Sequence, residues 1–495
     1  MGQTSTLKAG AAGKAELLRD KAWARWTALG LLAFAMFCSY VFMDVLSPIK
    51  DLLQSTRGWD STAFGTMQGS ETFLNVFIFF LIFAGIILDK MGVRFTAVLS
   101  GAVMLVGATI NWYALTDAFI GSSLDVWFTN HLNYIPGFDE LGISPFYEGM
   151  PASAKFASVG FMIFGCGVEM AGITVSRGIV KWFKGHEMAL AMGSEMALAR
   201  LGVATCMIFS PMFARLGGHI DVSRSVAFGV ILLMIALIMF IVYFFMDRKL
   251  DAQTGEVEEA DEPFQLRDIG KILSSSGFWL VALLCVLYYS AIFPFQRYGA
   301  NMLQCNLDGI SPAAASNIFR WFPIGAAVIT PFLGSFLDHK GKGATMLMWG
   351  AILLIACHLI FAFVLPATHS HVIAYSTIVL LGISFALVPA ALWPSVPKII
   401  DEKVLGSAYC LIFWVQNIGL CFVPMLIGSV LASSNANNPA VIAAKEAGDE
   451  FIPYNYTMPL VIFACFGVAA LILAIYLKAI DRKNHFGLEE PNIKA

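Results

Sequence analysis

This chain repeatedly runs for more than about 18 residues with almost no charge, the length at which a helix crosses the hydrocarbon of a bilayer. Val226 to Met246 is one such run, and the segment containing Leu31 to Met43 is another. Lipid offers no hydrogen bonds to an open backbone, so such segments must satisfy their own N–H and C=O groups as helices. With 58% hydrophobic residues, 41 phenylalanines and a mean hydropathy of +0.74, the chain has more apolar surface than one soluble core can hide. The class implied is an integral membrane protein.

Apolar runs read against charged or Gly/Pro-rich breaks predict an all-α membrane protein with twelve transmembrane helices. They fall near 24–49, 62–88, 95–116, 154–180, 187–213, 224–246, 273–298, 311–336, 343–366, 372–394, 403–432 and 455–479. The charged stretch DRKLDAQTGEVEEADEPFQLRD divides them six and six. Two six-helix bundles are therefore expected, residues 24–246 with a long outer loop at 117–153, and residues 273–479, joined by a cytoplasmic linker at 247–272. Residues 1–23 and 480–495 read as cytoplasmic tails, and the first lacks the short apolar core and cleavage site of a signal peptide. With the N-terminus inside, Lys and Arg total 22 on the cytoplasmic side, against 7 outside: Lys50, Arg57, Lys155, Arg215, Arg224, Arg297 and Lys445. That bias places both termini in the cytoplasm. The outer loop, rich in aromatics and Gly/Pro, is expected to form an ordered cap over the first half. The nine cysteines lie mostly in apolar spans with no CxxC pair, and only Cys305 reads as loop-exposed, so no disulfide framework is expected.

The two halves repeat a signal. GIILDKMGVR, after the second span, places Gly85, Asp89, Lys90, Gly92 and Arg94; GSFLDHKGKG, after the eighth, places Gly334, Asp338, Lys340, Gly341 and Lys342. In both, the aspartate stands four residues after one glycine and three before the next, and the two copies lie about half the chain apart. The first copy resembles the G-x-x-x-D-[KR]-x-G-x-R signature loop of the major facilitator superfamily. Glycines there let helices approach, and the aspartate caps a neighbouring helix or pairs with basic residues, contacts that latch the cytoplasmic side shut.

Charges inside the spans carry the functional reading. Counted from the loop KWFKG, Glu169 lies roughly 18 Å up span four and Arg200 roughly 21 Å up span five, at 1.5 Å per residue. A charge facing lipid at that depth costs at least about 3 kcal/mol, so both are expected to face the interior or a water-filled cavity. An ion pair between them is the expected resting arrangement, and a zwitterion is the cargo that fits, the carboxylate taking an amino group and the guanidinium fork a carboxylate. The alternative is that the pair only pins two helices together, although desolvation makes a buried pair a poor source of stability. Glu195 comes about 140° round the helix from Arg200 and is expected to point elsewhere, toward another helix or the cytoplasmic half of the cavity. Tyr40 and Asp44 on span one, Tyr289 on span seven, Trp393 on span ten, and Gln416 and Asn417 on span eleven are further lining candidates. Each is also a residue type that serves helix packing.

The stretch GVEMAGITVSRGIVKWFKGHEMALAMGSEMALARLG, together with FPF at 293–295, ALWP at 391–394 and LGSAYCLIFWVQNIGL at 405–420, resembles the lysosomal dipeptide uniporter group within that superfamily. The group carries a similar G-x-E, W-F-K-G-K-E and A-R-[IL]-G, with its glutamate and arginine 31 residues apart, as here. The resemblance implies that Glu169 and Arg200 recognise the two termini of a dipeptide. One departure concerns location: KAELLRD has no acidic residue four positions before its first leucine, as the acidic dileucine sorting signal of lysosomal members has. The plasma (inner) membrane of a bacterium is expected rather than a lysosome. Asn455 opens an N-x-T sequon on the outer face, which matters only in a host that glycosylates.

The leading expectation is a secondary transporter moving dipeptides or similar small zwitterions by alternating access, as a uniporter or with protons. Glu169, Glu195, Glu71 and His358 are the candidate proton carriers, and His358 reads equally as a buried core histidine. The competing readings are an organic-anion carrier built on Arg200, and a membrane sensor or assembly subunit that binds without moving its ligand. No HExxH, nucleophile elbow or phosphate-cradling loop is present, so no enzyme activity, catalytic residue, cofactor or metal is expected. Basic residues follow membrane orientation and form no nucleic-acid groove. The bilayer and a small-molecule substrate are the expected partners, and the sequence names no accessory subunit.

Overall fold

The computed structural model describes residues 17–138, 140, 144–254, 269–400 and 404–491. Most of the expected N-terminal tail and linker, and the last residues of the C-terminal tail, lie outside the described residues. The first half comprises α1 Ala22–Met43, α2 Lys50–Arg57, α3 Ser61–Ser70, α4 Phe73–Phe77, α5 Phe80–Ala114, α6 Ser123–Asn130, α7 Ala152–Trp182, α8 Met188–Ala214 and α9 Val222–Thr254. The second comprises α10 Ile269–Leu273, α11 Ser276–Asn306, α12 Pro312–Phe319, α13 Trp321–Lys340, α14 Gly343–Leu359, α15 Leu365–Thr368, α16 His371–Ile399, α17 Leu405–Ser434, α18 Pro439–Ala447 and α19 Thr457–Asn484. Helix starts follow capping chemistry: Asp60 accepts from the Ala63 amide, Ser275 from Phe278 and Ser370 from Ile373.

Among the described residues, eleven helical stretches are long and apolar enough to cross a membrane. The remaining crossing, second in order, is broken. It runs through α3, α4 and the first turns of α5, with Thr72 and Ile78 outside helical geometry and Phe79 left-handed at φ 54°. A polar Glu71–Thr72 step followed by aromatic and β-branched residues gives this segment weak helix propensity. The helix α5 then runs on through Gly92, at φ 76° and ψ 167°, into the third crossing. Only glycine takes that backbone without strain, and Gly341, at φ 71°, makes the matching turn in the second half. These two turns and both ends of the described chain lie at one face, here the terminal face; the loop bearing α6 lies at the opposite, loop face.

The halves meet along a seam at the loop face. A Cβ on Gly65 would collide with the Pro424 carbonyl, and one on Gly428 with the Ser61 carbonyl, so α3 and α17 pack backbone to backbone. Polar bonds follow the same seam. Arg297 pairs with Glu71 and bonds Gln68, while its Nε lies 3.9 Å from Asp44. Gln296 donates to Asp44 at 2.6 Å, Asn301 to Asp51 at 2.8 Å, and Arg215 reaches Glu450 at 2.6 Å. Arg297, Lys50 and Lys155, counted from sequence among the outer-face charges, are in fact buried within the protein. Lys155 ties the α6 loop to α7, its Nζ bonding the carbonyls of Phe128 and His131 and the side chain of Asn133. Cys305, expected in a loop, is half-buried on α11, and Cys465 on α19 is the exposed thiol.

At the terminal face Asp89 and Arg94 of the first signature copy bond within their own half. Asp89 meets Arg177 of α7 at 2.7 Å, and Arg94 meets Asp251 of α9 at 3.2 Å. The two ion pairs of the first copy therefore tie α5 to α7 and α9 and do not cross to the second half. A Cβ on Gly85 or Gly334 would meet open space. In the second copy the C-terminal segment folds over the turn, with the amides of Lys342 and Gly343 donating to the Glu489 and Leu488 carbonyls. Lys398 of α16, beside Asp338, bonds the Gly487 carbonyl at 3.0 Å. At the start of α8, Arg25 hydrogen-bonds both carboxylate oxygens of Glu187 and holds that carboxyl below its ordinary range.

Candidate functional site

Glu169 on α7 and Arg200 on α8 both belong to the first half, and both look across to the second. The expected ion pair between them is absent: Glu169 Oε1 accepts from Asn417 Nδ2 of α17 at 3.1 Å. Arg200 donates to the Ala326 carbonyl at 3.0 Å and to the Thr330 hydroxyl, both on α13. Its guanidinium lies 4.6 Å from the centre of the Phe385 ring of α16, within cation–π range. Each intramembrane charge is thus held by neutral groups of the opposite half. Proximity along adjacent helices did not pair them, because each side chain extends across the interface instead of along its own bundle.

The remaining candidates divide by position. Tyr40 of α1 lies within electrostatic reach of Glu195, Glu169 and Arg200. Tyr289 of α11 accepts from Trp393 Nε1 of α16 at 3.1 Å and lies near Arg200. Phe293 stacks on Tyr289 and packs edge-on against Phe385, and Phe413 stacks on Trp393, so the second half presents an aromatic wall beside the guanidinium. Glu195 stands within electrostatic reach of Arg200 and makes no ion pair with it. Gln416 and Asn417, adjacent in sequence, separate: Gln416 accepts from the Cys285 thiol inside the second half, while Asn417 faces Glu169. Asp44 caps α1 in the loop-face seam, away from this group. His358 is fully buried, between Phe295 and Phe463, as a packing residue.

Sequence reasoning missed Thr330, Phe385 and Asn75. Thr330 and Phe385 carry no signal in an apolar span. Asn75 is the lone amide in the run FLNVFIFF and was open to notice.

The fold and this interface define a class. The family model described as the Major Facilitator Superfamily matches residues 32–424, and the chain belongs to that family. It is a secondary transporter. Among curated relatives, the chain is similar to the lysosomal dipeptide transporter MFSD1 of Bos taurus, at 25% identity with 82% of this chain and 79% of that protein covered. The Danio rerio protein of the same name is 27% identical, with 81% and 79% covered. Among solved structures, a mutant of the nucleoside transporter NupG superposes with a TM-score of 0.65 at 12% identity over 92% of this chain and 99% of that one. A bacterial homologue of the human lysosomal transporter Spinster, in an inward-facing and occupied conformation, gives 0.63 at 13% identity over 94% and 99%. At such identities these structures speak for the fold alone.

Proposed function

We propose that this protein carries dipeptides, or small zwitterions of similar length, across the membrane by alternating access, with Glu169 binding the amino end and Arg200 the carboxylate. The observation that carries the reading is that each buried charge is held by a neutral group of the opposite half. A buried ion whose hydrogen bonds go only to neutral groups has been desolvated with less compensation than a bonded opposite charge gives. An ammonium is a stronger partner for Glu169 than the Asn417 amide, and a carboxylate fits the Arg200 fork better than one carbonyl and one hydroxyl. Cargo that exchanges with these partners frees α17 and α13 to move against the first half. The similarity to lysosomal dipeptide transporters supports the same substrate class.

The cavity side of the site belongs, in this reading, to the terminal face, and the bias of 22 basic residues against 7 supports assigning that face to the cytoplasm of a bacterial inner membrane. The test is counterflow of a labelled dipeptide into proteoliposomes with the wild type, Glu169→Gln and Arg200→Ala. The wild type is expected to exchange, and both variants to insert with normal yield and lose at least about 90% of flux, the scale set by a charge-assisted bond. Normal flux in either variant removes that residue from the site. Block by organic anions but not by dipeptides would favour an anion carrier.

A further inference from the structure

Beside Glu169 the interface holds amide groups with nothing to bond. Asn75 on α4 is 1% exposed, and both its Oδ1 and its Nδ2 lack a hydrogen-bond partner. Asn417, equally buried, spends its Nδ2 on Glu169 and leaves its own Oδ1 unpartnered. The two belong to one place. The Thr72 hydroxyl bonds the Asn417 carbonyl at 3.3 Å, and Trp414 Nε1 bonds the Val76 carbonyl at 2.9 Å, so α4 runs alongside α17 with Asn75 between those contacts. Asn75, Phe79 and Leu81 face Cys410, Leu411 and Trp414 across a narrow crevice there. The second crossing is broken on both sides of Asn75, and irregular backbone at membrane depth is found where it lines a cavity.

A buried polar atom without a partner is costly, and a cluster of three calls for a ligand. The free atoms here are neutral and comprise carboxamide donors and acceptors. Their complement is another amide, which supplies one N–H and one C=O in a plane. We propose that Asn75, seated beside Asn417, forms a subsite that reads the peptide bond of the cargo, its Oδ1 accepting the peptide N–H. This rests on the dipeptide reading above and deepens it. Glu169 and Arg200 alone see two charged ends; the amide subsite distinguishes a peptide from other zwitterions of similar length. A site built to hydrogen-bond a substrate N–H rejects the analogue that lacks it more strongly than an apolar pocket discriminates size.

The test compares alanyl-alanine with alanyl-lactate, which has the same ends but an ester oxygen in place of the peptide N–H, as competitors of labelled dipeptide counterflow. The wild type is expected to favour the peptide by about fivefold or more, the scale of one hydrogen bond. Asn75→Leu, similar in volume, is expected to bring that ratio close to one. Should Asn75→Leu not fold, judged by its thermal midpoint in detergent, Asn75→Ala is scored by the same ratio. A wild-type ratio near one, or a variant that keeps the wild-type ratio, overturns the amide subsite while leaving the dipeptide reading intact. Absence of any dipeptide counterflow in the wild type overturns both.

Discussion

Glu71 and Arg297 come from opposite halves and are both buried in the loop-face seam, with Asp44, Gln68 and Gln296 around them. Removing one member of such a pair strands the other in a medium that solvates it poorly, a loss of roughly 3–5 kcal/mol. Glu71→Ala is therefore expected to lower the thermal midpoint in detergent strongly, and Arg297→Ala to do the same. The double variant is expected to lose much less than the two losses added together, because neither charge is then stranded. Additive losses would show that the pair does not hold the halves together. This pair also marks where sequence reading stops at the scale of single residues. Glu169 and Arg200 were legible because a charge in a long apolar run demands a polar environment. Their partners were not, since the same rule names no direction: Arg297 read as an outer-face charge, and the Glu169–Arg200 pair as an internal bond.

Among the elements, the duplicated Gly and Asp spacing located two equivalent turns, and Gly92 and Gly341 occupy them with positive φ. That was readable because a backbone requirement leaves a residue-type signature. The break in the second crossing was not, because a polar step inside an apolar run also fits a continuous helix with an inward polar face. The close packing of α3 on α17 likewise depends on which faces meet, which periodicity does not give. It has a testable consequence. A side chain at Gly428 would run into the Ser61 carbonyl and the Tyr298 hydroxyl, so Gly428→Val is expected to hold the loop-face seam apart. Cys421, fully buried in the same seam, should then react with a membrane-impermeant maleimide that leaves it untouched in the wild type. Equal protection in both would mean that the seam tolerates the added bulk.

For the molecule as a whole, charged bonds between halves gather toward the loop face, while Asp89 and Arg94 at the terminal face pair within the first bundle. For a carrier that works by alternating access, reversal requires the Arg297 cluster to open. Composition and the twofold repeat carried the twelve-helix fold, because hydrophobic length and duplication are properties of the chain as a string. The conformation adopted is not such a property, since one set of residues serves both directions of opening. The most direct measurement is a cryo-EM map of the protein saturated with a transported dipeptide. Density between the halves is expected with its amino end within hydrogen-bond distance of Glu169 and its carboxylate on Arg200, Asn417 and Thr330 having given up those partners. Ligand density elsewhere, or both original bonds intact around a bound ligand, would contradict the role assigned to the two charges.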